Sequence, residues 1–329
     1  MVTSLYSSDE LRQARALIEA SGLSFETAYD ELVGVFRAER LVAVGARAGR
    51  VLKMFAVALE FQGEGLLDQV VTYLVERGFQ EGYDSFFVFT APAQATSFEA
   101  LNFSLLASSG KGALLEYGNG LKRYLTRYQD AVAPGNNGAV VANCNPFTLG
   151  HRYLIEQAAS RVERLYLFVV REEKSLIPFD YRLRMVREGT GNLPNVTVLD
   201  TSCYAVSSIT FPTYFLKDGD LGGAVQMDLD LRLFATRIAP VFHITTRFVG
   251  NEPYSRTTAR YNAAMQQVLP PLGVAVTELE RLGSQGAAIS ASRVRELLAR
   301  GDTDGVAALV PESTRRFLFS PEGRRTWDR

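Results

Sequence analysis

Ala139-Val140-Val141-Ala142-Asn143-Cys144-Asn145-Pro146-Phe147-Thr148-Leu149-Gly150-His151-Arg152-Tyr153-Leu154-Ile155-Glu156-Gln157-Ala158-Ala159 runs from apolar to polar to amphipathic. The four apolar residues read as a buried strand, the Asn/Pro segment as a turn, and the residues from Arg152 as a helix. A helix that opens beside the carboxyl end of a strand presents free N–H groups and the positive end of its dipole to an anion. Thr148 and His151 stand at that opening, where a hydroxyl and an imidazole can donate to the same phosphate oxygens. Gly150, between them, lets a ligand approach closely. The chain has 2 histidines, and the other, His243, reads as a surface or packing residue before a later strand. Taken alone, the same letters also suit a turn whose His only caps or packs.

A second stretch, Ile289-Ser290-Ala291-Ser292-Arg293-Val294-Arg295-Glu296-Leu297-Leu298, supplies a partner. Ser290 or Ser292 suits an N-cap, and Val294, Leu297 and Leu298 give the helix that follows an inward face. Two hydroxyls and Arg295 at a helix start make a second phosphate-binding device; in isolation they are an ordinary capped helix. T-x-G-H after a strand, paired with I-S-x-S-x-x-R, resembles the HxGH nucleotidyltransferase superfamily, with Thr148 at the first His position. That resemblance implies ATP cleaved between its α and β phosphates.

The 329 residues suggest two domains, and 47% hydrophobic content supplies a core for each. A formal net charge of −1 gives no basic field to draw the chain to nucleic acid or a membrane. Cys144 and Cys203, the 2 cysteines, offer neither a zinc cluster nor a disulfide framework. Cys144 is either a nucleophile in the key turn or, since no His-Cys pattern accompanies it, a small packing residue. Met1 to Asp9 lacks the basic and apolar regions of a signal peptide, and no apolar run reaches membrane-spanning length. The expectation is a soluble, cytoplasmic protein.

Toward the N-terminus, Glu10 to Ala20 has helical periodicity through Leu11, Ala14, Leu17 and Ile18. The strand-like runs Leu32–Ala38, Leu41–Ala48 and Val51–Glu60 follow with short gaps, as in an antiparallel meander. Gln62-Gly63-Glu64-Gly65-Leu66-Leu67 leads into a helix over Asp68–Arg77, then a strand over Ser85–Thr90 and a helix near Ala95–Leu101. This order resembles the α+β N-acetyltransferase (GNAT) fold, whose Q/R-x-x-G-x-G/A loop sets backbone N–H groups on the pyrophosphate of coenzyme A. Gln62, Gly63 and Gly65 are thus candidates to hold a CoA-like group, with Leu67 standing where a small residue is expected. Alternatively, the two glycines only make the strand-to-helix turn.

Turn formers at Ala133-Pro134-Gly135-Asn136-Asn137-Gly138 predict a boundary, giving domains 1–133 and 134–329. Beyond it, strand-like runs at Ala139–Ala142, Arg164–Val170, Val196–Leu199, Thr245–Val249 and Gly273–Glu278 alternate with helical ones. The helical stretches are Arg152–Arg161, Tyr181–Gly189, Asp228–Ile238, Thr257–Val268 and Val294–Arg300. Alternation of this kind predicts an α/β, Rossmann-like domain with a parallel sheet and ligands beyond the strands' carboxyl ends. Lys174 and Arg182 follow the second strand and are possible phosphate contacts. Ser207 to Phe215 mixes polar and aromatic residues, suited to an acyl pocket or, for Phe211 and Phe215, to core packing. Arg247 to Tyr254 ends a buried strand in a polar turn, a position that faces the adenosine in the superfamily. Arg315 to Arg329 matches no motif and reads as a disordered, Arg-rich tail.

At finer grain, N-x-N-P-F-T-L-G-H-R-Y-L-I-E-Q-A-A is similar to the signature of the citrate (pro-3S)-lyase ligase family. Ile209 to Phe215, Asp228 to Leu231, Arg247 to Gly250 and Ala288 to Ser292 are similar to that family too, as is the order of domains. Cys144, the run Asn251 to Tyr254, and Leu67 depart from it. The resemblance implies an acid–thiol ligase that uses ATP and Mg²⁺ to acetylate the thiol of a dephospho-CoA-derived prosthetic group. That group is carried on the acyl carrier subunit of citrate lyase. Acetate would attack the α-phosphorus, and the thiol would take the acetyl group from acetyl-AMP. His151 and Thr148 would serve the α and β phosphates, and Ser290, Ser292 and Arg295 the β and γ phosphates. Asn145, Phe147, Gly150 and Arg247 would complete the ATP site. The competing readings are a cofactor adenylyltransferase of the phosphopantetheine type and an N-acyltransferase whose second domain binds a nucleotide.

Overall fold

The computed structural model describes residues 1–171, 175–204, 219–252, 255–284 and 287–327. Its first compact unit comprises Met1–Arg123 and a later stretch whose described part is 219–229. In chain order this unit runs β1 (Val2–Ser4), α1 (Ser8–Ala20), β2 (Glu31–Arg37), β3 (Arg40–Ala48) and β4 (Val51–Val57). It continues through α2 (Leu66–Gln80), β5 (Ser85–Thr90), α3 (Ala95–Glu99), β6 (Phe103–Ser108) and β7 (Ala113–Gly118). One sheet takes all seven strands in the order β1-β2-β3-β4-β5-β7-β6. Every neighbouring pair is antiparallel except β4 and β5, which pair only at Val51↔Phe87 and Leu52↔Val88. α1 starts with a reciprocal capping box between Ser7 and Glu10. Its Ala14 and Ile18 bury against Leu32, Leu41, Val44 and Met54 on one face of the sheet. Val70, Val71, Leu74 and Val75 of α2 bury on the other, with Val33, Val35, Leu52 and Phe86. This is the α+β, GNAT-like arrangement that the first half of the sequence implies, with β6 and β7 added.

The second unit begins at Tyr124, within α4 (Gly120–Arg127), ahead of the Ala133–Gly138 turn. Hydrogen bonds account for that position. The Tyr124 hydroxyl donates to the Asp200 carbonyl at 2.8 Å, and the Tyr128 hydroxyl donates to the Asp200 carboxylate. The Tyr166 hydroxyl donates to Ala131 O at 3.0 Å and accepts from Ala133 N–H at 2.9 Å.

Within this unit, β8 (Asn137–Ala142), α5 (Leu149–Ala159), β9 (Arg164–Val169), α6 (Phe179–Thr190) and β10 (Val196–Asp200) alternate. α7 (Gly219–Leu233), which straddles the division, ends in a π-helical turn, Phe234–Ile238. β11 (Ile244–Gly250), α8 (Arg256–Val268), β12 (Ala275–Leu279) and the small hairpin β13 (Gly283–Ser284)–β14 (Ala287–Ala288) come next. α9 (Ala291–Ala299), α10 (Thr303–Ala307), α11 (Glu312–Phe319) and α12 (Pro321–Trp327) close the chain's described part. The sheet order is β10-β9-β8-β11-β12, and every pair is parallel. Successive residues of β9 face opposite ways, as strand geometry requires. Leu165, Leu167 and Val169 join Val140, Phe248, Ile155, Met185 and Val186 in one core, while Phe168 packs edge-on against Phe234 and Phe242. The connection order reverses between β8 and β11, so the crevice at their carboxyl ends is the topological switch point, where open α/β sheets bind ligands.

The described part of the Arg-rich tail, 315–327, is helical, contrary to the sequence expectation. Phe317 and Leu318 are buried, and Tyr181 stacks on Phe317 with ring centroids 4.7 Å apart. The Tyr181 hydroxyl and Arg184 both donate to Glu322, Arg316 pairs with Glu188, and Trp327 Nε1 donates to Leu318 O at 2.9 Å. The arginines sit on the outer faces of helices whose apolar faces cover α6, so their number obscured the helical periodicity.

Candidate active site

The turn after β8 carries Cys144 in the left-handed region (φ 52°) and a cis peptide between Asn145 and Pro146. It delivers Thr148 as the N-cap of α5. Thr148 Oγ1 accepts from His151 N–H at 3.2 Å and lies 2.9 Å from His151 Nδ1, while Thr148 N–H donates to that same Nδ1 at 3.1 Å. A nitrogen that accepts from a backbone N–H carries no proton, so the proton of the neutral ring resides on Nε2. His151 is thereby fixed as a neutral donor. Its ring stacks at 20° on Phe147, with centroids 6.1 Å apart. His151 is half-buried as a residue, and desolvation of its ring lowers its pKa to about 4, with the charge of Arg281 acting in the same direction.

The second signature meets the first through two direct contacts. Ser290 is the N-cap of α9 and accepts from Arg293 N–H at 3.2 Å, which decides between the two candidate serines. Arg295 donates to Asn145 O at 2.6 Å and to Ser292 Oγ at 3.1 Å. The second contact is at Gly150, where a Cβ would meet the Ile289 carbonyl oxygen at 2.6 Å. The glycine expected to admit a ligand therefore admits the backbone just ahead of Ser290. Residues separated by 150 positions thus form one cradle, with Thr148, His151, Ser290, Ser292 and Arg295 around it.

Several other candidates lie elsewhere. Phe147 is 0% exposed and belongs to the hydrophobic core, so its side chain supports His151 and does not touch a ligand. Arg182 is also 0% exposed. It donates to the carbonyls of Asn143 (2.6 Å), Val170 (2.9 Å) and Ile177 (2.9 Å), which makes it a brace for the turn and not a phosphate contact. The Asn145 carboxamide oxygen accepts from Ile177 N–H at 3.1 Å, serving the same brace. Arg247 sits in mid-strand on β11 with its guanidinium 4.5 Å from the Phe234 ring centroid and 4% exposure, buried beneath the rim instead of facing an adenosine. Beside it the Tyr261 hydroxyl donates to Asp230, and burial, then the Asp230 charge, push that phenol's pKa up. Cys144 is buried, and the loss of solvent drives its thiol up to about 12 even with Arg182 nearby, so it packs and does not attack. Lys174, Phe211 and Phe215 lie outside the described residues.

In the first unit, Gly63 (φ 85°) and Gly65 (φ 73°) adopt left-handed backbone in an exposed turn, and Gly65 caps α2 with no side-chain hydrogen bond. Gln62 Nε2 donates to Val57 O at 3.4 Å, and Leu67 packs onto the hydrophobic core beneath the turn. One residue beside this site, Arg281, was not singled out from the sequence, and its partner Glu252 entered only within the run Arg247 to Tyr254. Arg281, just after β12, pairs with Glu252, just after β11, at 2.5 Å. Opposite charges immediately past the ends of two parallel strands were the available signal.

A parallel α/β unit with its first signature at the carboxyl end of a central strand, and its second signature meeting it there, has the architecture of a nucleotidyltransferase-like domain. The family description Citrate lyase ligase C-terminal domain fits residues 137–318. The chain is 37% identical to the citrate (pro-3S)-lyase ligase of Escherichia coli strain K12, across 94% of this chain and 90% of that protein. It is 41% identical to the protein of the same name from Klebsiella pneumoniae, across 85% and 84%. The chain belongs to the citrate lyase ligase family. Among solved structures, Thermotoga maritima TmcAL bound with α-thio ATP overlaps 55% of this chain and 54% of its own, at 14% identity and a TM-score of 0.36.

Proposed function

We propose that this protein is the acid–thiol ligase that activates citrate lyase, acetylating the thiol prosthetic group of its acyl carrier subunit through acetyl-AMP. The observation that carries the chemistry is the neutral His151, its Nδ1 held by Thr148 N–H and its Nε2–H left to donate at the start of α5. Acetate attacks the α-phosphorus of ATP, the bond to the β-phosphate breaks, and pyrophosphate leaves. The carrier thiolate then attacks the acetyl carbonyl and AMP leaves. Negative charge gathers on the α-phosphoryl oxygens and on the departing pyrophosphate, so the protein's part is to hold donors in place. His151 and the N–H groups opening α5 serve the first, and Ser290, Ser292 and Arg295 at α9 serve the second. Among the described residues no three His, Cys, Asp or Glu side chains converge. Mg²⁺ typically keeps its waters and rides on substrate phosphates, and it enters here as the ATP complex. The first unit, with its open Gln62–Gly65 turn, holds the carrier's CoA-derived arm.

Pyrophosphate release from ATP tests this directly, with acetate, with phosphopantetheine and with neither. Release that requires acetate is expected. Release driven by phosphopantetheine would instead establish a cofactor adenylyltransferase, and none under any condition would sink the adenylyl-transfer reading.

A further inference from the structure

We propose that Arg281 is a nucleotide-contacting residue of this site, donating to the same phosphoryl group as His151 and held ready by Glu252. The inference rests on the adenylyl-transfer reading above and adds to it a cation that neither signature contains. Position is the first support. Arg281 follows the end of β12 and lies over Gly250 at the end of β11, where a Cβ on Gly250 would meet its Nε at 3.4 Å and its Cγ at 3.5 Å. β11 borders β8 at the switch point, so the side chain lying over Gly250 is at the end of the strand next to the one that leads into α5. The second support is electrostatic: the positive charge of Arg281 lowers the His151 pKa in the same direction as burial does.

The third support is the way the side chain is held. Glu252, with a side chain 7% exposed, accepts from Ser255 N–H at 3.0 Å and so is fixed to the first turn of α8, and its other oxygen pairs with Arg281. Arg281 N–H in turn donates to Asn251 Oδ1 at 3.1 Å. The Arg281 side chain is 24% exposed and gives one amino group to Glu252, so its Nε and second amino group remain as further donors. A part-buried ion pair is weak evidence of stabilisation, because desolvation offsets its attraction. A rigid donor set beside a phosphate cradle supplies a reason for keeping it. Arg281 brings positive charge to a site whose histidine contributes a neutral donor, and the group that calls for both is a phosphoryl group gaining charge.

Titration calorimetry of the full chain with Mg·ATP and with adenosine separates this from a structural role. Arg281→Gln should weaken ATP binding about 10- to 100-fold, as expected for a lost charge-assisted hydrogen bond, and leave adenosine binding unchanged. Arg281→Lys keeps the charge without the fork and should recover part of the loss. In the nucleotide-free protein, the His151 titration followed by NMR should move upward in Arg281→Gln, since a nearby positive charge has gone. If wild-type protein binds ATP and Arg281→Gln binds it equally well, or loses ATP and adenosine alike, the proposal is overturned. An unmoved His151 titration overturns the placement of the guanidinium beside the imidazole. Failure of the wild type itself to bind ATP removes the adenylyl-transfer reading first, and this inference with it.

Discussion

Gly150→Ala should separate activity from stability. The added Cβ would lie 2.6 Å from the Ile289 carbonyl oxygen, where 3.4 Å is an ordinary contact. Both partners are backbone, so α5 and the strand of chain leading into Ser290 must part by roughly 0.8 Å, because packed interiors have no void to absorb the atom. Overpacking of this kind costs about 1–3 kcal/mol. Alanine in a helix returns about 1 kcal/mol over glycine, so the net destabilisation should be at most about 2 kcal/mol. Activity is more exposed to the same shift. It pushes Ser290, Ser292 and Arg295 away from Thr148 and His151, and a misplacement near 1 Å costs on the order of 100-fold in rate. Thermal unfolding should therefore show a loss of a few degrees, while acetate-dependent pyrophosphate release falls about 10- to 100-fold. A folded Gly150→Ala protein with wild-type kinetics would refute the idea that this contact sets the spacing of the two signatures.

His151→Ala should lower turnover about 100- to 1000-fold in steady-state pyrophosphate assays, with circular dichroism unchanged, because one preorganised donor is lost; a loss of only a fewfold would remove His151 from the chemistry. Since its pKa falls from 6.5 to about 4 in the folded chain, the unfolded state binds more protons between those values. Stability should rise with pH across that window and be lost as pH falls from about 6.5 toward 4, a slope that denaturant titrations should find reduced in His151→Gln. Gly65→Asp places a carboxylate in an open turn where no atom lies within 4 Å of the new Cβ, and Asp tolerates left-handed backbone better than most residues. The protein should fold and form pyrophosphate normally but acetylate the carrier more slowly; equal carrier acetylation would leave the first unit as scaffold. Phe317→Ala, which empties a buried ring stacked on Tyr181, should cost about 3–5 kcal/mol in urea unfolding. A change below about 1 kcal/mol would mean that α11 contributes little to the second unit.

Local pattern carried most of the second unit's architecture. The strands around 139–142, 164–169, 196–200, 244–250 and 275–279 were visible as apolar runs, and helix-period runs between them forced a parallel sheet. Ser290 was legible as one of two cap candidates because a cap is a local device whose partner is three residues away, whereas Thr148 was read as a phosphate donor and proves to be the cap of α5 as well. What escaped was decided at long range. Gly150 had two local readings, and only the approach of Ile289 shows which constraint it meets. The sequence places Arg182 after a strand, as it would a phosphate ligand, and its burial among three carbonyls depends on how α6 packs. Arg281 and Glu252 stand 29 residues apart on separate connections, with no spacing to join them. β6 and β7 were missed too; their pairing, like that of any antiparallel strands, lies in neither strand alone.

The hydrogen bonds that brace the β8–α5 turn explain how the cradle keeps its shape. Three consecutive odd-numbered carbonyls of the β8–α5 turn are each engaged by a different helix: Asn143 O by Arg182 of α6, Asn145 O by Arg295 of α9, and Phe147 O by Thr314 of α11. A fourth tie runs from Leu149 N–H to Leu309 O at 3.0 Å. A polar turn held in this way has its conformation set before any nucleotide arrives, so the dipoles at the start of α5 need no reorganisation when charge develops on a bound phosphoryl group. Arg295 then has two tasks, because its Nη1 holds Asn145 O while its Nη2 lies against Ser292. Loss of that side chain would release the turn as well as remove a cation. Its effect on catalysis should therefore exceed that of removing Ser292, which holds no part of the turn.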